Sequence, residues 1–274
     1  MVSLNPSCII IIPVYKPEMN SDEEKSLHQC LKVLGRHHIA FVTPDALNCD
    51  IYSEICSQYS IQFIQYPFDK SFFDGIEGYN RLLLSRHFYE SFAKYDFMLI
   101  YQLDAYVFYD GLEMWCGKGY DYIGAPLIGD YTDEVFSMRM RVGNGGFSLR
   151  RIKAFMAFFD SRDNVFSGLQ VSQRINLWKK PYTRVFVWLL MVFGWRNKPS
   201  AIADRWKYNE DDFWSGLLTG TRYQLRMPEI PEAIQFSFER FPSELYEVNH
   251  QQLPFGCHAW KKYQYETFWS KFIH

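Results

Sequence analysis

Short apolar runs, broken by polar or proline-bearing stretches, set the rhythm of the first hundred residues. The stretch 7–14 is rich in isoleucine and ends on Pro13-Val14-Tyr15-Lys16-Pro17, which predicts a strand followed by a rigid turn. Residues 21–34 predict a helix, with Ser21 as its cap and Glu24, three residues on, completing a capping box. A second strand is expected at 39–43, a short helix at 51–59 and a third strand at 61–66. This alternation is the signature of a parallel sheet. The aromatic and acidic stretch 68–78 reads as a loop near the sheet's ligand edge. Residues 79–92 predict one helix with Leu82, Leu83, Phe88 and Phe92 turned inward. Residues 97–101 are continuously apolar, as in a strand covered on both faces, and run into Gln102-Leu103-Asp104.

The second half is less regular. A short helix is expected to end near Gly117, and Tyr122-Ile123-Gly124-Ala125-Pro126 predicts a brief strand broken at the proline. Residues 129–141 read as polar and irregular. Gly143, Gly145 and Gly146 surround Asn144, permitting backbone shapes or a close ligand approach that a Cβ would obstruct. A strand at 147–149 and a helix at 151–159 follow. The stretch 177–198 has an apolar centre at 185–195 flanked by Lys179, Lys180, Arg184, Arg196 and Lys198. It is too short to span a bilayer. It reads as a buried helix or as a basic, aromatic patch that touches a membrane or a lipid-linked substrate. Residues 212–220 predict a helix, 228–241 a short strand with loops, and 265–273 an aromatic helix. With no repeat, linker or boundary, 1–274 reads as one domain. Residues 7–108 form a nucleotide-type half and 109–274 a half for substrate and catalysis. The expected class is α/β, a mostly parallel central sheet flanked by helices.

Composition narrows the function. The 274-residue chain has a net charge of −2, so no global positive field recruits nucleic acid. Hydrophobic residues make up 48%, which argues against disorder. With 24 Phe, 19 Tyr and 8 Trp, some rings are expected to line a cleft, where the apolar faces of a sugar can lie on them. The cysteines at 8, 30, 49, 56, 116 and 257 form no CxxC pair and read as mostly buried free thiols of a reducing compartment. No basic stretch precedes the first apolar run, which therefore reads as a strand and not a signal peptide. The expected location is the cytoplasm, with 177–198 as a candidate contact at the inner face of its membrane.

Three places carry candidate chemistry. Asp104 stands where a buried strand ends, and an ionised carboxylate there needs a partner or a cation. Ligands of open α/β sheets bind at such ends. It reads as a metal or phosphate site, or more simply as a turn cap. Glu210-Asp211-Asp212 lies between Trp206 and Trp214. One of the three could accept a proton from a hydroxyl nucleophile, unless they only cap a helix. His258 sits in a glycine- and aromatic-rich loop and reads as a metal ligand or a structural histidine.

Taken in order, Asp104, Gly145-Gly146, Glu210-Asp211-Asp212 and His258 resemble the GT-A glycosyltransferases. The strings IGAPL (123–127), NGGFSLR (144–150), NEDDFW (209–214) and FGCHAW (255–260) are similar to those of a bacterial glycosyltransferase family. They are also similar, more distantly, to the animal β-1,4-galactosyltransferases. The resemblance spans most of the chain between Pro13 and Trp260. It implies a GT-A fold and transfer from a nucleotide-sugar donor, a UDP-sugar, to a glycan or lipid-linked glycan. Tyr79-Asn80-Arg81 matches an element whose arginine holds the donor phosphates. Asp104 matches the last aspartate of the Asp-x-Asp motif, with Gln102 in place of the first, and His258 matches a late metal ligand. The family's methionine ligand has no counterpart. The implied ion is manganese, with magnesium as the alternative. Gly145-Gly146 matches the segment approaching donor and acceptor, Glu210 a binder of acceptor hydroxyls, and Asp211 the catalytic base of an inverting displacement. Pro13, Tyr15 and Tyr106 are candidates beside the donor. The competing readings are a retaining transferase, a metal-dependent phospho- or nucleotidyltransferase, and a non-catalytic carbohydrate-binding protein. A dinucleotide oxidoreductase is disfavoured, because the first strand leads into Pro13-Val14-Tyr15 and not a glycine-rich turn.

Overall fold

The structure, a computed structural model, describes residues 6–128, 141–175 and 181–274, without the side chains of 174, 175 and 181–184. The irregular stretch read at 129–141, except Arg141, and Lys179 and Lys180 lie outside the described residues. The strands are β1 (Cys8–Pro13), β2 (His38–Pro44), β3 (Phe63–Phe68), β4 (Phe97–Tyr101), β5 (Tyr106–Val107), β6 (Tyr122–Gly124), β7 (Pro126–Leu127), β8 (Arg141–Val142), β9 (Phe147–Arg151), β10 (Ser237–Phe238) and β11 (Gly256–Cys257). Helices α1 (Ser21–Leu34) and α2 (Asp50–Gln58) connect the first three strands, and α3 (Gly75–Leu83) and α4 (Arg86–Ser91) lead into β4. The later helices are α5 (Leu112–Gly117), α6 (Ile152–Asp160), α7 (Gly168–Ile175), α8 (Pro181–Val192), α9 (Pro199–Ala203), α10 (Glu210–Asp212), α11 (Ile230–Phe236) and α12 (Pro242–Val248).

The central sheet has the order β3-β2-β1-β4-β9-β6. β1 pairs in parallel with β2 and β4, Ile10 lying beside Ile39 on one side and Leu99 on the other. β9 runs antiparallel between β4 and β6. The sheet is therefore mostly parallel and flanked by helices, as the sequence predicts. Alternation along β1 builds two cores. Ile10 and Ile12 pack with Leu27 and Leu31 of α1, Tyr52 of α2 and Trp115 of α5. Ile9 and Ile11 pack with Leu82 of α3, Phe88 and Tyr89 of α4, and Phe155 and Phe158 of α6. A small sheet, β10-β11-β5, joins a third core of Tyr106, Phe238, Trp260, Phe268 and Trp269.

Several expectations shift for identifiable reasons. The cap of α1 is Asn20 and not Ser21: its side chain accepts from the Asp22 and Glu23 amides at 2.9 Å, and Glu23 returns the bond to the Asn20 amide. The predicted helix 79–92 is two helices, because Ser85 turns extended and its hydroxyl accepts from the Phe88 amide at 3.2 Å. β3 starts two residues later than expected and carries Pro67, which an edge strand tolerates. The helix expected at 212–220 is a π-helical turn over Phe213–Leu217, whose wide geometry seats Phe213 and Trp214 in the core. The short strand expected within 228–241 is β10, but α11 forms ahead of it in place of a loop, and within 265–273 only Trp269–Lys271 makes a 3₁₀ turn. The stretch containing α8 is not a buried helix, since one of its faces is open. All six cysteines are free thiols, and all but Cys8 are buried.

Candidate active site

Strand order reverses between β1 and β4, one followed by a helix on one face and the other reached from the opposite face. Such a switch point opens a crevice at the carboxyl ends of the strands. Pro13 ends β1 there, Gln102 to Asp104 leave β4, and Gly145-Gly146 enter β9 beside them. The result is a cleft of about 730 Å³. Its lining includes Pro13, Tyr15, Gln102, Asp104, Gly145, Gly146, Glu210, Asp211 and His258. Nearly all the residues singled out in the sequence therefore meet in one place.

His258 reaches Asp104 through the small sheet. β11 pairs antiparallel with β5, placing Cys257 opposite Tyr106, and the Trp260 amide lies 3.4 Å from the Asp104 carbonyl. His258 Nε2 then stands 3.2 Å from Asp104 Oδ1 and 3.1 Å from Gln102 Oε1. β10 pairs parallel with β11, bringing Glu239 Oε1 to 3.4 Å from His258 Nδ1. Burial alone would lower the imidazole, but Asp104 and Glu239 outweigh it and push His258 up to about 10. Asp104, whose side chain is 53% exposed to the cleft, is raised by desolvation yet held below the usual carboxylate range overall by His258 and Lys262.

This set fits a divalent cation. Asp104 and His258 Nε2 open to the same space and are close enough to bind one ion, while Glu239 lies behind the ring, where carboxylates commonly stand behind metal-bound histidines. Without an ion, a proton on His258 satisfies the same carboxylates. Among the described residues no three His, Cys, Asp or Glu side chains could hold a metal by themselves. The remaining positions would fall to the oxygens of a ligand.

The acidic triplet divides its tasks. Glu210 is buried, and its two oxygens lie 2.8 and 3.2 Å from Arg150, which is itself 0% exposed. Arg150 also donates to the Tyr89 hydroxyl at 3.0 Å. Burial pushes the Glu210 carboxyl up against the pull of Arg150. Asp211 is raised by burial and by Glu239 nearby, less the pull of Arg150 and Arg141. Asp212 pairs with Arg141, away from the lining of the cleft. The Glu210 amide donates to Asn80 Oδ1 at 3.0 Å, tying α10 to α3.

The two glycines are required by the chain itself. A Cβ on Gly145 would stand 2.2 Å from Glu210 Oε1, and one on Gly146 would stand 2.1 Å from His258 Nε2. The close approach expected for a ligand is thus made first by the site's own side chains. Arg81 is placed otherwise than the resemblance implies. It is exposed, donates to the Ser71 carbonyl at 2.8 Å and does not line the cleft. Its position on α3 turns it outward, while Asn80 turns in. Lys262, an exposed cation of the lining, was not singled out in the sequence, nor were Glu239 and Arg150. The signal for Arg150 was present: it shares a face of β9 with Ser148 between core residues, where a charge demands a buried partner.

The fold is that of the GT-A glycosyltransferases. Mouse xyloside xylosyltransferase 1, in its apo form, superposes with a TM-score of 0.52 at 13% identity, over 92% of this chain and 97% of that one. Core-mannan synthase A of Aspergillus fumigatus, in a Mn/GDP form, gives a TM-score of 0.44 at 9% identity over 78% and 73%. The glycosyltransferase GlyE of Streptococcus pneumoniae gives 0.45 at 13% identity over 93% of this chain and 55% of its own length. By sequence the chain belongs to the family described as protein of unknown function (DUF5672), whose model matches residues 61–258. No curated protein matches it.

Proposed function

We propose that this protein is a glycosyltransferase. It moves a sugar from a nucleoside-diphosphate donor, a UDP-sugar by resemblance, to a hydroxyl of a glycan or lipid-linked glycan. One observation carries the reading: Asp104 and His258, 3.2 Å apart and suited to hold one cation between them, share one cleft with the carboxylate of Asp211. The 7–108 half supplies Pro13, Tyr15, Gln102 and Asp104, and the 109–274 half supplies Asp211, Glu239 and His258.

Asp104 and His258 would hold manganese, or magnesium, since a mixed oxygen and imidazole set suits the former. Such an ion, when bound, offsets the charge of a diphosphate leaving group. Lys262 stands at the same end of the cleft, where its charge already acts on Asp104, and takes the phosphate role that the resemblance gives to Arg81. Tyr15 offers an exposed ring for the base or sugar. Asp211 accepts the proton of the acceptor hydroxyl. The hydroxyl oxygen bonds to the anomeric carbon as the bond from that carbon to the diphosphate breaks, and the diphosphate leaves with the electron pair. One base on the acceptor side makes this a single displacement with inversion. Glu210, whose oxygens are both engaged by Arg150, positions Asp211.

The test is a panel of nucleotide sugars, with and without manganese, read as donor hydrolysis and as protection against thermal melting. A manganese-dependent rise in melting temperature is expected with at least one donor. Asp104→Ala should abolish it while melting like wild type without ligand. Protection by no nucleotide sugar, or protection unchanged in Asp104→Ala, overturns the reading.

A further inference from the structure

From Val185 onward, helix α8 is apolar on both sides. Trp188 and Met191 pack against the core that contains Phe155, Phe213 and Trp214, and the Trp188 indole donates to the Gly168 carbonyl at 2.9 Å. Val185, Phe186, Leu189 and Phe193 lie within about 100° of one another on the opposite side, at 100° per residue. That stripe is open to solvent: Phe186 is 62% and Phe193 84% exposed. Leu169 of α7, on the helix packed against α8, and Trp195 just beyond it are exposed as well. An apolar helical run such as 185–193 is ordinarily covered, and an open apolar patch of this kind marks a contact surface.

The charge of this part of the sequence points to what covers the stripe. Between Asp163 and Asp204 the sequence has no acidic residue and six basic ones, Arg174, Lys179, Lys180, Arg184, Arg196 and Lys198, in a chain whose total charge is −2. Of these, exposed Arg196 lies over the Trp195 ring at 4.2 Å, and Lys198 lies beside Gly194. Rings with basic side chains at their edge suit the boundary between lipid headgroups and acyl chains. A second copy of this chain would bring like charges together. No helix among the described residues is long and apolar enough to cross a membrane. We propose that the α8 face docks on the surface of an anionic phospholipid bilayer, lying in its interface.

The test is flotation of the whole protein with two kinds of vesicle, pure phosphatidylcholine and phosphatidylcholine mixed with phosphatidylglycerol. Binding is expected to the mixed vesicles, weakening as salt rises. Arg196→Glu should weaken it by about tenfold or more, since each basic residue near such a surface contributes roughly fivefold, equal to about 1 kcal/mol. Phe186→Ser with Phe193→Ser should abolish it without lowering the melting temperature, because neither ring belongs to the core. Absence of binding, equal binding to both vesicles, or binding unmoved by these variants overturns the proposal. So does a dimer, formed without vesicles, that Phe193→Ser dissociates. These readouts need no sugar transfer, so they stand or fall apart from the catalytic reading.

Discussion

Asp211→Asn is expected to lower turnover by about 10²–10⁴-fold, the usual contribution of a positioned general base. Asparagine keeps the shape of the side chain and can still accept from the Asp212 amide, which Asp211 Oδ1 now does at 2.7 Å. The fold and donor protection should therefore persist. The pH profile adds a second readout. Burial and Glu239 hold Asp211 above its ordinary range, so activity should fall as pH drops through that raised value, and this acid limb should vanish in the variant. Steady-state kinetics with a donor found in the panel checks both. Turnover near wild type would assign the base elsewhere, with Glu239 next in line.

Arg150→Met is expected to lose about 3–5 kcal/mol of stability, because it leaves the Glu210 carboxylate buried without its counter-charge. In a chain of this size that is a fall of about 6–20 °C in melting temperature. Arg150→Met combined with Glu210→Leu should recover much of the loss, since well-packed apolar replacements of a buried pair are often neutral. Denaturant and thermal melts of the two single variants and the double variant read out the coupling. The double variant should nonetheless turn over slowly, because Glu210 begins the segment that carries Asp211. A double variant as unstable as Arg150→Met would mean that Arg150 acts through Tyr89 and Gly145 instead.

What the sequence disclosed and what it withheld follow from local and long-range physics. β1 and β4 were legible because a buried parallel strand must be continuously apolar, and Asp104 because a carboxylate at the end of such a strand needs a reason. The ordered set from Asp104 to His258 then pointed to the cleft. Capping and helix breaks slipped by a residue or split, as at Asn20 and Ser85, where side-chain hydrogen bonds outbid periodicity. Glu239 was hidden because nothing local links it to His258. Only the pairing of two-residue strands near the C-terminus joins them. Arg81 misled because a residue type in the right helix says nothing about which side it faces. The open face of α8 was legible only as an ambiguity, since a run apolar all round has no period to tell inside from outside.

Gly145 and Gly146 have a consequence for how this cleft could change. One receives the Glu210 carboxylate and the other the His258 ring, so the segment that carries Asp211 and the ring proposed to hold an ion are gauged from neighbouring α-carbons about 3.8 Å apart. Distant segments of the polypeptide are thereby set to a common ruler. Adapting the protein to a bulkier sugar would leave that ruler alone and recut the mouth instead, at Tyr15 and Ile76, where a larger or smaller side chain alters reach without moving the reacting centre.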